Sequence, residues 1–323
     1  MKGFKGFAPG LVCRGKQYAE NTVFEEDNAV ICCSGMHFCE MPFEVLKYYG
    51  FLNNKAERND FAEVEALADT KSENNEKFCT TKLKVGAKIG IPGLVKAQIE
   101  WTRQNAEKGT AGGNCSNLAG GDKSNLAGGN CSNLAGGDKS NLAGGDCSNL
   151  AGGDKSNLAG GDCSNLAGGY SSNLAGGYRS NLAGGDGSNL AGGYRSNLAG
   201  GYRSNLAGGD SSNLAGGDRS NLAGGYRSNL AGGDSSNLAG GDSSNLAGGD
   251  SSNLAGGGSS VLVGRNGCKA RGGKNSVIVL TEWEWIDDEN YVPVAVKAEI
   301  VDGERIKENT FYKLENGEFV EAE

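Results

Sequence analysis

Ten cysteines and a single histidine are the residues of this 323-residue chain best suited to chemistry. The densest group is Cys32, Cys33, His37 and Cys39, to which folding could add Cys13 and Cys79. Zinc is usually held by paired Cys-x2-Cys or Cys/His knuckles. Cys33-x3-His37-x-Cys39 is no such pair, so packing of small apolar thiols is the expected role. No metal or cofactor is expected. Any histidine-dependent step rests on His37 alone. Four further cysteines, Cys115, Cys131, Cys147 and Cys163, recur every sixteen residues, and Lys123, Lys139 and Lys155 recur at the same interval between them. Arg179, Arg195, Ser211 and Arg227 take the cysteine slot further along, which reads as tolerated surface variation rather than a metal–thiolate ladder. The pairs Tyr178-Arg179, Tyr194-Arg195, Tyr202-Arg203 and Tyr226-Arg227 are the expected partner contacts on the repeat.

An internal repeat sets the elements that must position these residues. Residues 114–257 are eighteen uninterrupted octads of the form x-x-Ser-Asn-Leu-Ala-Gly-Gly. The frame begins with Thr110-Ala111-Gly112-Gly113 and persists at Leu262, Ala270 and Ile278. Gly-Gly in every octad rules out a helix, since each Gly costs about 1 kcal/mol against Ala in a helix interior. Collagen needs a period of three and proline. A solvated Gly/Ser linker has no reason to keep a leucine in every octad. The Gly-Gly-Asp recurrence lacks the nonapeptide spacing of calcium-binding rolls.

A β-solenoid fits the pattern. Each octad supplies a short strand closed by a Gly-Gly corner, where positive φ carries no Cβ penalty. Alternation along a strand puts Ser and Leu inward and Asn and Ala outward. The second variable residue holds Cys, Lys, Arg, Ser or Gly and therefore faces solvent. The sixteen-residue recurrence of Cys and Lys implies two octads per coil, with cysteines stacked on one face and lysines on the opposite face. Such a stack has open sheet edges at its ends and needs caps. The flanking segments are the candidates: an α+β domain over residues 1–109 and a β cap over 279–323, around a solenoid over 110–278. The fold class expected is thus mainly β. The cap should contain strands near Ser276–Thr281, Tyr291–Val296 and Thr310–Leu314, with a tight hairpin at Asn316-Gly317.

Composition removes some functions. The chain holds 56 Gly and carries a net charge of −8 with no basic cluster, which argues against nucleic acid. No apolar run reaches the length of a membrane span. The first residues lack the apolar stretch of an export signal, so a cytoplasmic location is expected.

The segments Lys2-Gly-Phe-Lys-Gly-Phe7, Cys13-Arg-Gly-Lys-Gln-Tyr18, Gly35-Met-His-Phe-Cys-Glu40 and Phe61-Ala-Glu-Val-Glu-Ala66 resemble an uncharacterised domain of phage and prophage proteins, often followed by octad arrays and a short β segment. The resemblance implies that order of parts, a host cytoplasm and no firm activity. The array is similar in period, not in residues, to the sixteen-residue coils of bacterial ice-nucleation proteins. A fainter likeness is to ADP-ribosyltransferases: Gly35 to Tyr49 followed by Glu63-Val-Glu65 resembles their strand, helix and strand. It implies that Tyr48 or Tyr49 would line a nicotinamide pocket, that Arg14-Gly15 would stand near it, and that Glu65 would be the nearest catalytic acid, although earlier in the chain than usual. A binding-only domain is expected, without turnover. The function expected is a non-enzymatic scaffold presenting repeated surfaces to a protein or polymeric partner, with self-association possible through solenoid edges. The alternative is an ADP-ribosyltransferase-like enzyme with a solenoid tail.

Overall fold

The computed structural model describes all residues except 32, 73–75, 106–110, 289 and 323. Thr110 and Cys32, both singled out above, lie outside the described residues. The chain is mainly β, with a β-solenoid of about 10 turns of 16 residues and a small N-terminal α+β region. Within each octad the strand is the Asn-Leu-Ala triplet, as in Asn149–Ala151. Each strand pairs in parallel with the one sixteen residues on, Leu134 opposite Leu150 and Leu142 opposite Leu158. Alternate octads thereby supply nine strands to each of two sheets, and three strands from the C-terminal segment bring each sheet to twelve. Their leucines meet between the sheets, and every leucine of the array from Leu126 to Leu262 is at most 2% exposed.

Polar ladders hold the coils together. Serine faces inward as expected and is fully buried from Ser132 to Ser252, which is tolerable only because its hydroxyl is bonded. Ser156 Oγ donates to the Gly137 carbonyl at 3.2 Å and accepts the Ser140 N–H at 3.3 Å. The asparagines form an amide ladder on each outer surface, Asn141 Nδ2 donating to Asn125 Oδ1 at 2.8 Å. An aspartate at the first variable residue accepts the backbone N–H of the next coil, as Asp138 Oδ1 does from Asp154 at 2.9 Å. That bond explains the aspartate without calcium.

The corners differ from the sequence expectation. Positive φ falls on the second variable residue, for example Lys139 at 59° and Arg195 at 60°, and not on the Gly-Gly pair. The glycines serve close approach instead. A Cβ on Gly144 would lie 2.6 Å from Ser148 Cβ, and one on Gly145 would lie 2.1 Å from Asn130 Oδ1 of the preceding coil. No side chain fits at either position.

At the C-terminal end, Val277–Trp285 continues one sheet in parallel and then pairs antiparallel with Tyr291–Ile300. Tyr312–Glu315 closes the other sheet against Lys269–Arg271 and turns into Glu318–Glu321. Asn316 and Gly317 both take positive φ in that turn, as a two-residue hairpin favours. Parallel pairing thus gives way to hairpins at this end.

The N-terminal region is a seven-stranded antiparallel sheet with a 3-10 helix, Pro42–Lys47, and a helix, Gly90–Asn105. Its helix packs against Asn125–Ala127 and Asn141–Ala143, near the start of the array. The region lies along the outer face of one solenoid sheet, where Phe43, Leu46, Phe51 and Leu94 share a buried cluster with Ala159, Ala175, Ala191, Ala207 and Ala223. The physical reason is that the alanine rows of one sheet offer a flat apolar surface, which the apolar side of this domain covers. The buried Gln98 fixes the two helices there, accepting the Phe43 N–H at 3.0 Å and donating to Thr102 Oγ1 at 3.1 Å.

Candidate functional site

Strands Lys2–Phe7 and Met36–Cys39 are registered only at Phe4 opposite Cys39. Beyond that pair Lys5 Nζ bridges the gap, donating to the His37 carbonyl at 2.7 Å. The gap opens into a cleft of about 690 Å³. Gly6 makes the cleft wall possible, because a Cβ there would lie 2.7 Å from Tyr49 Cβ. Tyr49 crosses the strand at that point, and its hydroxyl donates to Cys13 Sγ at 3.3 Å. Tyr18 forms another wall, its ring between Phe7 at 5.3 Å and Phe24 at 4.8 Å. At the mouth Lys77 Nζ lies 4.5 Å from the centre of the half-exposed Tyr48 ring.

The cleft is cationic. Lys5, Arg14, Lys16, Lys47 and Lys77 line it against one acid, Glu26. Glu26 is itself engaged, with Lys16 at 2.8 Å and with the Gly35 N–H at 3.0 Å. Lys5 is 5% exposed. It sits over the rings of Phe7 and Tyr18, at 5.4 and 5.5 Å, and among the described residues no carboxylate lies within ion-pair distance. Burial pushes its ammonium below the usual lysine value, opposed by the neighbouring Cys13. His37 is lowered to about 4, first by burial and then by Lys77, Lys5 and Arg14. It is therefore a neutral imidazole near pH 7. Tyr49 is raised to about 12, by burial and by its bond to Cys13. A buried ammonium beside aromatic rings and further cations is suited to hold an anion that also carries a flat ring.

The structure brings Tyr48, Tyr49 and Arg14 together in this cleft, but not Glu65. Glu65 stands on Asp60–Ala66 between Lys2 and Lys84. Cys39 and Cys79 are buried, Cys33 is exposed, and Cys32 is outside the described residues. Among the described residues no group of three or more His, Cys, Asp or Glu could hold a metal ion. Sequence reasoning missed Lys5, Lys16, Tyr18 and Lys77. One signal was present: in Lys5-Gly-Phe7 the lysine shares a strand face with a phenylalanine.

The Tyr-Arg residues separate onto two edges of the solenoid, because their spacing mixes odd and even octads. Tyr178, Arg179, Tyr194, Arg195, Tyr226 and Arg227 continue the cysteine column, whereas Tyr202 and Arg203 continue the lysine column. Tyr178 and Tyr194 stack at 5.6 Å, and the Arg179, Arg195, Arg203 and Arg227 guanidiniums lie about 5 Å over their own tyrosine rings. The two outer sheet faces also differ. One is covered by the N-terminal region. The other leaves its Asn and Ala rows open along the array and ends in the exposed Val261 and Val263.

No helix among the described residues is long and apolar enough to cross a membrane. No curated protein and no solved structure matches the chain significantly. Residues 1–97 match a family described as Domain of unknown function (DUF7666).

Proposed function

We propose that the chain is a non-enzymatic scaffold, a rigid solenoid that carries the N-terminal domain on one face and presents the other to a protein or polymeric partner. One observation carries this reading: octads of one sequence build both faces, yet one is covered by the chain itself and the other is left open. Regular spacing of about 4.8 Å between rungs suits a partner that repeats along its length. The phage-type resemblance supports a bacterial host component in the host cytoplasm as that partner. Ala167→Asp, Ala183→Asp and Ala199→Asp together would charge the open face without touching the core. Loss of partner capture by this variant, with capture kept when the Tyr-Arg edge is changed instead, supports the reading. The reverse pattern refutes it and moves the contact to Tyr178, Arg179, Tyr194 and Arg195.

A second reading concerns the cleft, and buried Lys5 without a carboxylate favours it. The cleft would take a phosphate-bearing ligand with a flat ring, of the nucleotide class. Catalysis of the ADP-ribosyltransferase kind would need a carboxylate placed for the developing cation. Glu65 does not line the cleft, which supports binding without turnover. Calorimetry with NAD, ADP and inorganic phosphate tests this, with Lys5→Met expected to weaken each ligand that binds. Labelled NAD with host lysate tests turnover. Label transfer lost in Tyr48→Ala, Tyr49→Ala and Glu65→Gln would establish the enzyme instead.

A further inference from the structure

Cys115, Cys131, Cys147 and Cys163 form a column along one edge of the solenoid. All four are exposed, and all four share one backbone conformation, with φ of 57–58°. The backbone ties each corner to the next: the Cys115 N–H donates to the Asn130 carbonyl at 2.7 Å and the Cys131 N–H to the Asp146 carbonyl at 2.8 Å. Successive coils are hydrogen-bonded neighbours, so the cysteine Cα atoms repeat at about 4.8 Å. Identical backbones make the Cα–Cβ bonds parallel, and the Cβ atoms repeat at the same distance. A disulfide spans a Cβ separation of about 3.5–4.5 Å, so adjacent rungs cannot join without moving the backbone. A metal ion in line between two sulfurs fits better. On the scale of a zinc–thiolate bond, about 2.3 Å, two metal–sulfur bonds cover most of the gap, and a lean of the two side chains toward each other supplies the remainder.

We propose that this column is a binding site for soft, two-coordinate metal ions, with Cu(I) as the ion that thiolates select. One ion lies between Cys115 and Cys131, and another between Cys147 and Cys163. Each ion displaces two thiol protons and leaves a bis-thiolate with one negative charge; no oxidation state changes. Two ligands suffice for linear coordination, so the lack of any larger ligand group among the described residues is no obstacle. Arg179 is the next residue of the column.

The test titrates the reduced full-length protein, without oxygen, with Cu(I) buffered by a competing chelator. The readouts are thiolate-to-metal charge transfer in the ultraviolet and copper retained after desalting. Serine is an acceptable replacement, since it stands in the same slot at Ser211, Ser243 and Ser259. The variant with all four replaced measures binding by the other cysteines. Wild type should retain two ions more than that variant. Cys115→Ser with Cys163→Ser keeps one adjacent pair and should retain one more. Cys131→Ser with Cys147→Ser keeps as many thiols, but about 14 Å apart, and should retain none. Equal binding by the two double variants, or no excess of wild type over the fourfold variant, overturns the proposal.

Discussion

Deleting residues 279–323 should turn the chain into a head-to-tail polymer. The deletion removes Leu280, Val301, Ile306, Tyr312 and Leu314, all buried at the end of the core. At about 2 kcal/mol for each buried side chain, roughly 10 kcal/mol of gross burial is lost. Leu262, Ala270 and Ile278 are then uncovered, and both sheets present unpaired strands. At the other end Asn117–Ala119 is already the outer strand of its sheet, with Leu118 only partly buried. The two ends share one period and one register, so the exposed last coil of one copy can pair in parallel with the first coil of the next. Such a contact is heterologous and does not close, and it grows a filament. Light scattering after size exclusion should show concentration-dependent growth, and the remaining monomer should melt well below the full chain. A truncated protein that stays monomeric and melts with the full chain would refute the capping argument.

Three further outcomes follow from the packing and the charges. Leu182→Ala should cost about 2–5 kcal/mol in denaturant unfolding, as for a core leucine, and Leu118→Ala at the open end far less; equal losses would contradict an end that is open. Gly145→Ala should destabilise by about 1–3 kcal/mol, because its Cβ meets Asn130 Oδ1 and breaks that corner bond. Gly113→Ala, with nothing within 4 Å of its Cβ, should be nearly neutral, and similar melting of the two variants would show that close approach is not why the glycines are there. His37 titrates near 4 in the folded chain against 6.5 unfolded. The unfolded chain then binds more protons between those values, so stability is full above pH 6.5 and falls as pH drops toward 4. His37→Gln should flatten this dependence in melts from pH 7.5 to 4, and an unchanged slope would exclude His37 as its source.

The solenoid was legible because its information is local. An inward Leu in every octad and the sixteen-residue recurrence of Cys and Lys are enough to define two strands per coil, since side chains alternate along a strand and stack between coils. The Asn316-Gly317 turn was legible for the same reason. The corner was misread because Gly-Gly satisfies two different needs. The sequence shows that no side chain is tolerated there, and only the packed coils reveal that Ser148 and Asn130 exclude it, with positive φ falling on the second residue after each Gly-Gly pair, as at Lys139 or Arg195. The placement of the N-terminal domain was not legible at all. Octads of one sequence form both faces, so the repeat cannot say which face is covered; that depends on non-repeating Phe43, Leu46 and Leu94 meeting Ala159 and Ala175. The cleft likewise gathers Lys5, Tyr18, Tyr49 and Lys77 from separate strands and loops. No spacing in the chain encodes their meeting, because it is set by where two strands of one sheet cease to pair.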